Sequence, residues 1–385
     1  MKNKIKILRI IHTLNPVHGG PQNVILDNSI ALIKKGFKID IVTGDAKNSK
    51  FLKSKKIKIF NKGPGLLGDY GFNIKLFLWL VKNRNKYDFF IVHGIWGFYS
   101  LISRILLKKK YFVFTHGALD PFFTINSIKR IKKQIYWFLI EKRNLLSAKS
   151  LLLTTDQEKR LLNKTFVNTH NINKEVIGYG IIKTQFNKKK TTNLFFKKFP
   201  NLKNKSFLLY LGRFHEKKGC EILIKALKKL KKENININIL LAGPNNEYKK
   251  KIMALSENLN LKDNIFWSDI IIGDLKWGAI TTSSAMVLPS HGENFGVSLA
   301  ESMSCSKPVL TTFKVNIYKE ILKYKAGLVS KNNINEFSKI LKKFYFLNKK
   351  QTQQMSVNSL NCFNENFNLI STNNKLANFL TKQNL

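Results

Sequence analysis

Two carboxylates, Glu293 and Glu301, stand eight positions apart around Asn294, Phe295, Gly296 and Val297, directly after the apolar run Ala285 to Leu288 and the pair Pro289-Ser290. A strand, a glycine-bearing turn and a helix opening at Val297 would set Glu293 on the loop and Glu301 about one turn inside the helix. Carboxylates accept hydrogen bonds, and the first amides of a helix donate them. This segment can therefore hold hydroxyls and an anion together at the carboxyl end of a strand. A second apolar run, Phe207 to Leu211, leads into Gly212, Arg213, Phe214, His215, Glu216, Lys217, Lys218 and Gly219, then an amphipathic pattern from Cys220 to Lys232. Arg213 offers a planar fork of donors suited to phosphate oxygens, and Lys218 a mobile point charge. Taken singly, each has a plainer reading. Glu293 could be a solvated turn residue, Glu301 a surface charge, and Lys218 or its neighbour Lys217 one more exposed lysine.

The elements that must position these groups alternate. Expected strands near 4–11, 37–43, 56–60, 88–93, 110–115, 150–155 and 175–179 are interleaved with helical stretches at 21–35, 73–84, 98–108 and 127–148. Buried β-rich runs alternating with helices argue for a mostly parallel sheet wrapped on both faces. After the polar stretch Lys188 to Lys205 the rhythm restarts, with strands near 206–212, 236–242, 264–267, 285–289, 308–311 and 326–329. The fold class is therefore α/β, with two doubly wound domains, 1–187 and 188–351, followed by a helical segment over 352–385.

Two loops of the first domain add candidates. Gly19 and Gly20 fall between the first strand and a helix that Pro21 can open, where paired glycines allow close backbone approach as well as a tight turn. The strand Tyr111 to Thr115 ends in His116-Gly117, and the strand near 88–93 ends in His93-Gly94, so both imidazoles sit at carboxyl edges. A lone histidine is more often structural than catalytic.

Charge and cysteine content bound the setting. With 67 Lys and Arg against 23 Asp and Glu, the chain carries +44, which calls for a nucleic acid, an anionic membrane surface or a phosphorylated substrate. The lysines are scattered through both halves, and no nucleic-acid reading module accompanies them, so a basic nucleic-acid-binding protein is the weaker alternative. Cys220, Cys305 and Cys362 are too few and too far apart for a disulfide framework or a zinc site, and a cytoplasmic setting fits them. The first apolar stretch is broken by Arg9 and reads as a strand, not a signal peptide. The segment Ile125 to Ala148 mixes Lys and Arg with Ile131, Ile135, Trp137, Phe138 and Leu139. It suits a core-packing helix with a basic outer face, or one lying on an anionic membrane surface.

The segment from Pro289 to Glu301 resembles the E-x7-E motif of family 4 retaining glycosyltransferases, and Gly212 to Gly219 is similar to the same family's G-R-x-x-x-x-K-G segment. The resemblance covers nearly the whole chain. It implies two Rossmann-like domains facing across a cleft (GT-B), with the 352–385 segment crossing back to the first domain. It also implies sugar transfer from a UDP- or GDP-linked donor to a saccharide or lipid-linked acceptor in cell-surface polysaccharide synthesis, with retention of anomeric configuration. Arg213, Lys218 and the backbone at Asn294, Phe295, Gly296 and Val297 would bind the donor, with Glu301 on its ribose. Gly19 and Gly20 would contact donor phosphate or sugar, while Glu293 and His116 would act at the sugar. No cofactor or metal is implied, because fixed cations and a helix start supply the counter-charge to a leaving diphosphate, and no Asp-x-Asp pair stands in the chain. A nucleotide-sugar epimerase or a phosphorylase of the same architecture is the alternative within the fold.

Overall fold

The computed structural model describes residues 4–15, 21–49, 56–120, 127–166 and 169–384, which divide into two compact units: Met1–Gly180 with Leu369–Leu385, and Ile181–Asn368. Gly19 and Gly20 lie outside the described residues.

In the first unit the strands are β1 Lys6–Ile11, β2 Lys38–Thr43, β3 Lys58–Asn61, β4 Phe89–His93, β5 Tyr111–Phe114, β6 Ser150–Leu153 and β7 Lys174–Val176. They pair in the order β3-β2-β1-β4-β5-β6-β7, every pair parallel. Its helices are α1 Pro21–Lys34, α2 Ile74–Asn83, α3 Phe98–Leu107, α4 Ser127–Tyr136, α5 Lys142–Leu146 and α6 Asp156–Thr165. Alternate strand residues serve two cores, as the two-residue period of a strand requires. Leu8, Ile10, Phe90, Val92, Val113 and Leu151 pack with side chains of α2, α3, α5 and α6. Ile7, Ile91, Phe112, Phe114 and Leu152 pack instead with Leu32 of α1 and with Leu376, Ala377 and Leu380 of the C-terminal helix.

The second unit contains α7 Lys188–Lys198, β8 Phe207–Leu211, α8 Cys220–Lys232, β9 Asn238–Ala242, α9 Glu247–Asn258, β10 Ile265–Ser268, α10 Gly273–Thr282, β11 Ala285–Leu288 and α11 Val297–Ser304. It continues with β12 Val309–Thr312, α12 Tyr318–Lys323, β13 Gly327–Ser330, α13 Ile334–Tyr345 and α14 Lys349–Asn366, while α15 Leu369–Lys382 returns to the first unit. The sheet order is β10-β9-β8-β11-β12-β13, again parallel throughout. In each sheet the strand order reverses once, at β1/β4 and at β8/β11. Loops leaving the carboxyl ends of such a pair diverge and leave a crevice, the switch point where ligands collect in open α/β sheets.

Three expectations change. The polar stretch Lys188 to Lys205 opens with a helix: Asn187 caps α7, and Thr191 and Phe195 are buried against α10. The expected helix over 125–148 is interrupted by a π turn at Trp137–Glu141. The units divide at Gly180/Ile181 and at Asn368/Leu369, where the sequence suggested 187/188 and 351/352. The reason at the second junction is packing: Cys362 and Phe363 of α14 are fully buried, α14 packs on α11 and α12, and Phe367 meets Phe295 edge to face.

Candidate active site

At the β8/β11 switch point two loops are stitched together by their backbones. After β8, His215 accepts the Lys217 amide at 3.0 Å and so caps a single 3-10 turn, Glu216–Lys218, which Gly219 closes at φ +69°. A Cβ on Gly219 would lie 2.0 Å from the Pro289 carbonyl oxygen, so only glycine lets the loops approach this closely. The Lys217 carbonyl accepts both the His291 amide at 2.8 Å and the Ser290 hydroxyl at 2.7 Å. Glu293 is held from the other side: its amide donates to Lys314 O and its carbonyl accepts from Asn316 N, both at 2.9 Å.

This framework sets the Lys218 ammonium on the Glu293 carboxylate, both side chains about four-fifths buried. Burial alone would raise the Glu293 carboxyl. The Lys218 charge and hydrogen bond, the Lys217 charge and the Gly296 amide outweigh it and hold the carboxyl below its ordinary value. Arg213, on the loop that carries Lys218, is exposed, and its carbonyl accepts the buried Tyr210 hydroxyl at 2.9 Å. Gly296 precedes α11 at φ +79°, and no side chain caps that helix start. The Lys218 and Lys217 charges, the Glu293 carboxylate and the start of α11 thus meet here, with Arg213 on the loop that carries the lysines, a pairing a bound diphosphate could enter by competing with Glu293 for Lys218.

The other expected residues take separate places. Phe295 is buried in the core, leaving only its backbone for a ligand, and the Asn294 side chain accepts from Asn316 at 3.3 Å. The Gly296 amide is engaged by Glu293. Val297 is the first residue of α11. Glu301 does not touch Glu293's partners; it accepts Lys276 of α10 at 2.8 Å, and Lys276 also lies 4.5 Å from the Trp277 ring centre. Lys276 was not singled out from the sequence, and a lysine among 67 Lys and Arg carries no signal there.

His116 belongs to the first unit. It stands just past β5 with φ +48°, its ring near-parallel to those of Phe114 and His93 with centroids 5.2 Å from each, and those two rings are 5.7 Å apart. Burial, with the Arg9 charge adding to it, pushes its imidazole down to about 4. Two further groups of this unit were not foreseen as site residues. Arg9 is fully buried in the middle of β1, and its position inside an apolar strand was the available signal. Glu141, on the π turn, is fully buried and accepts the Ser100 hydroxyl at 2.6 Å; burial lifts its carboxyl to about 7. A carboxylate inside a basic helix pattern reads as surface.

Comparison with known proteins follows this geometry. Residues 191–359 match the profile of the family described as Glycosyl transferases group 1. An uncharacterized glycosyltransferase of Methanocaldococcus jannaschii is 27% identical over 256 residues, 64% of this chain and 62% of that protein. One of Haemophilus influenzae is 24% identical over 326 residues, 83% of this chain and 85% of its own. This chain thus spans under two thirds of the first relative's length. Among solved structures, Anabaena HepE in complex with UDP and glucose matches with a TM-score of 0.77 at 16% identity, over 98% of this chain and 100% of that one. Residues 191–359 are thus similar to a Glycosyl transferases group 1 domain, and the chain shares the two-sheet α/β fold of that solved structure.

Proposed function

We propose that this chain transfers a hexose-type sugar from a UDP- or GDP-linked donor to a saccharide or lipid-linked acceptor in cell-surface polysaccharide synthesis, with retention of anomeric configuration. The Lys218–Glu293 pair beside the uncapped start of α11, at the β8/β11 switch point, is the observation that carries the reading. Departure of the nucleoside diphosphate builds negative charge as the anomeric carbon turns oxocarbenium-like. Arg213, Lys218 and the first amides of α11 are fixed donors for that charge, so stabilisation needs no reorganisation and no metal. Glu293 accepts hydroxyls of the sugar, and Glu301, oriented by Lys276, accepts those of the ribose. HepE, which was crystallised with UDP and glucose, shares the fold and favours a uridine donor as the first to try.

The lipid-linked acceptor draws on a different observation. Ile131, Ile135, Phe138 and Leu139 are more than half exposed along α4 and the π turn, with exposed Lys132 among them. Such a face suits an anionic membrane surface, where each nearby cation adds about 1 kcal/mol. Among the described residues no helix is long and apolar enough to cross a membrane.

A screen of UDP- and GDP-linked donors for nucleotide release tests the reading, with Glu293→Ala as control. Release with at least one donor, lost in the control, is expected. Oligonucleotide binding that survives a salt series, without nucleoside diphosphate binding, would overturn it. Flotation with anionic vesicles tests the membrane clause separately.

A further inference from the structure

At the β1/β4 switch point the Arg9 guanidinium feeds two hydrogen-bonded branches. One runs through α1 and α15: Arg9 donates to Asn28 Oδ1, Asn28 Nδ2 donates to Asn373 Oδ1, and Asn373 Nδ2 returns to the Asn28 carbonyl at 3.3 Å. That branch closes on itself. The other runs along the carboxyl ends of β4 and β5: Arg9 Nη1 meets His93 Nε2 at 3.3 Å, and His93 Nδ1 meets His116 Nε2 at 3.0 Å. It ends at His116 Nδ1, which is buried and has no partner among the described residues.

Proton bookkeeping fixes the direction of the second branch. A guanidinium has donors only, so His93 Nε2 must accept, and His93 then carries its single proton on Nδ1. That proton points at His116 Nε2, which must also accept. His116 is left with its proton on Nδ1, the atom without a partner. A doubly protonated His93 would set N–H against N–H beside a cation, and burial with the Arg9 charge holds both imidazoles down in the neutral form. His116 lines one small cavity together with Arg9, Asn28, His93, Tyr179 and Thr372.

We infer that Arg9 and His93 are positioning residues which lock His116 as a neutral Nδ1–H donor, making it a hydrogen-bond donor to a ligand oxygen and not a proton-abstracting base. An imidazole whose Nε2 is occupied and whose Nδ1 carries a proton cannot take a proton from a hydroxyl. It can grip one, or a phosphate or carbonyl oxygen, without turning. A buried N–H left unpaired is costly, and the oxygen that satisfies it gains accordingly. The kinetic part of this inference rests on the glycosyl-transfer reading; the tautomer part does not.

The test is long-range proton–nitrogen NMR on the full-length chain labelled with nitrogen-15 in histidine, at pH 7, each of the 7 histidines assigned by its own substitution. Wild type should show His93 and His116 neutral, each protonated on Nδ1. Arg9→Met removes the forcing donor and should mix the tautomers of both rings; Arg9→Lys, which can only donate, should restore them. His116 protonated on Nε2 in the wild type overturns the inference, and this measurement needs no variant to fold. With a donor found by the release screen, Arg9→Met should lower kcat roughly tenfold, with the nucleoside diphosphate Kd unchanged and rescue by Arg9→Lys. Full turnover in Arg9→Met with mixed tautomers would overturn the positioning role. Failure of every donor would sink the transfer reading and leave the spectra to decide the lock.

Discussion

The two switch points share a topology and differ in how they treat a cation. At β8/β11 the lysines face carboxylates: Lys218 holds Glu293, and Lys276 holds Glu301, each side chain partly open to solvent. At β1/β4 the cation is a guanidinium buried in the sheet, whose partners are an amide and an imidazole, and burial pulls it down to about 9. A paired ammonium near solvent can exchange its carboxylate for phosphate, because both partners are anions and both are reached by the same rotamers. A desolvated guanidinium among neutral acceptors cannot exchange anything cheaply, and what it supplies is orientation. Strand order alone therefore does not tell a ligand grip from an internal frame. The sign of the groups around the cation does.

Removing a free cation from the grip should have the largest effect. Arg213 is exposed, so Arg213→Ala should keep its melting temperature and lose about a hundredfold or more in kcat, on the order of 3 kcal/mol of barrier. Near-normal turnover would take Arg213 out of the site.

Acid separates the two regions next. The folded values of His93 and His116 lie below the ordinary 6.5, so below that pH the unfolded chain binds protons that the folded chain refuses. Stability is full above about 6.5 and is lost as pH falls toward 4. For His116 alone the loss is roughly 2 kcal/mol by pH 5, and His93 adds to it. Glu293 is also depressed, but its contribution persists until pH drops below the ordinary carboxyl range. Buried Glu141, lifted to about 7, contributes with the opposite sign over this range, so the readout is a difference: on going from pH 7.5 to 5 the wild-type stability from urea unfolding should fall by roughly 2 kcal/mol or more relative to His93→Gln/His116→Gln, while Glu293→Gln keeps the wild-type dependence. A pH dependence in the double variant identical to that of wild type would deny that the frame is built from neutral rings.

How much of this could be read from sequence follows from what each residue type announces. Apolar runs such as Tyr111 to Phe114 and Ala285 to Leu288 are strands because both faces are buried, and their ends located Glu293, His116 and His93 without any structure. The start of α11 was legible because Gly296 sits where a positive φ is needed. The partners were not legible. Lys276 reaches Glu301 from a neighbouring helix, and Arg9 reaches His93 across 84 positions, so only the sheet order brings them together. The polar stretch from Lys188 concealed a helix because only Thr191 and Phe195 in its eleven residues are buried, too sparse a stripe to stand out among lysines. Glu141 was hidden by its own surroundings, a basic pattern that predicted exposure where the π turn gives full burial.

Breaking the pair itself should cost less than losing Arg213 costs in rate. Lys218→Met leaves the Glu293 carboxylate in place without its ammonium. Loss of one partner from a fully buried pair costs about 3–5 kcal/mol, and the roughly one-fifth exposure of both side chains reduces this to about 2 kcal/mol. The penalty should shrink on acidification, as Glu293, freed from Lys218, takes up a proton more readily. A urea midpoint equal to wild type would mean that water already screens the pair, and the contrast with Arg9 would weaken.

The smallest effect distinguishes grip from frame through a matched pair of glycines. Gly296 precedes α11 at φ +79°, and Gly178 borders the first-unit cavity at φ +89°. Alanine at either position must hold a left-handed backbone, at about 1 kcal/mol each. The space available is similar, with a new Cβ 3.3 Å from Leu299 Cδ1 in one case and 3.1 Å from Thr372 Cγ2 in the other. Equal stability losses should therefore accompany unequal functional ones. Gly296→Ala tilts the amide that steadies Glu293 and the first turn of α11, so nucleoside diphosphate binding should weaken severalfold by calorimetry. Gly178→Ala should leave that affinity untouched and perturb only the His116 resonances. Equal losses of nucleotide affinity in both variants would show that the nucleotide also feels the β1/β4 end, and that the frame is part of the grip.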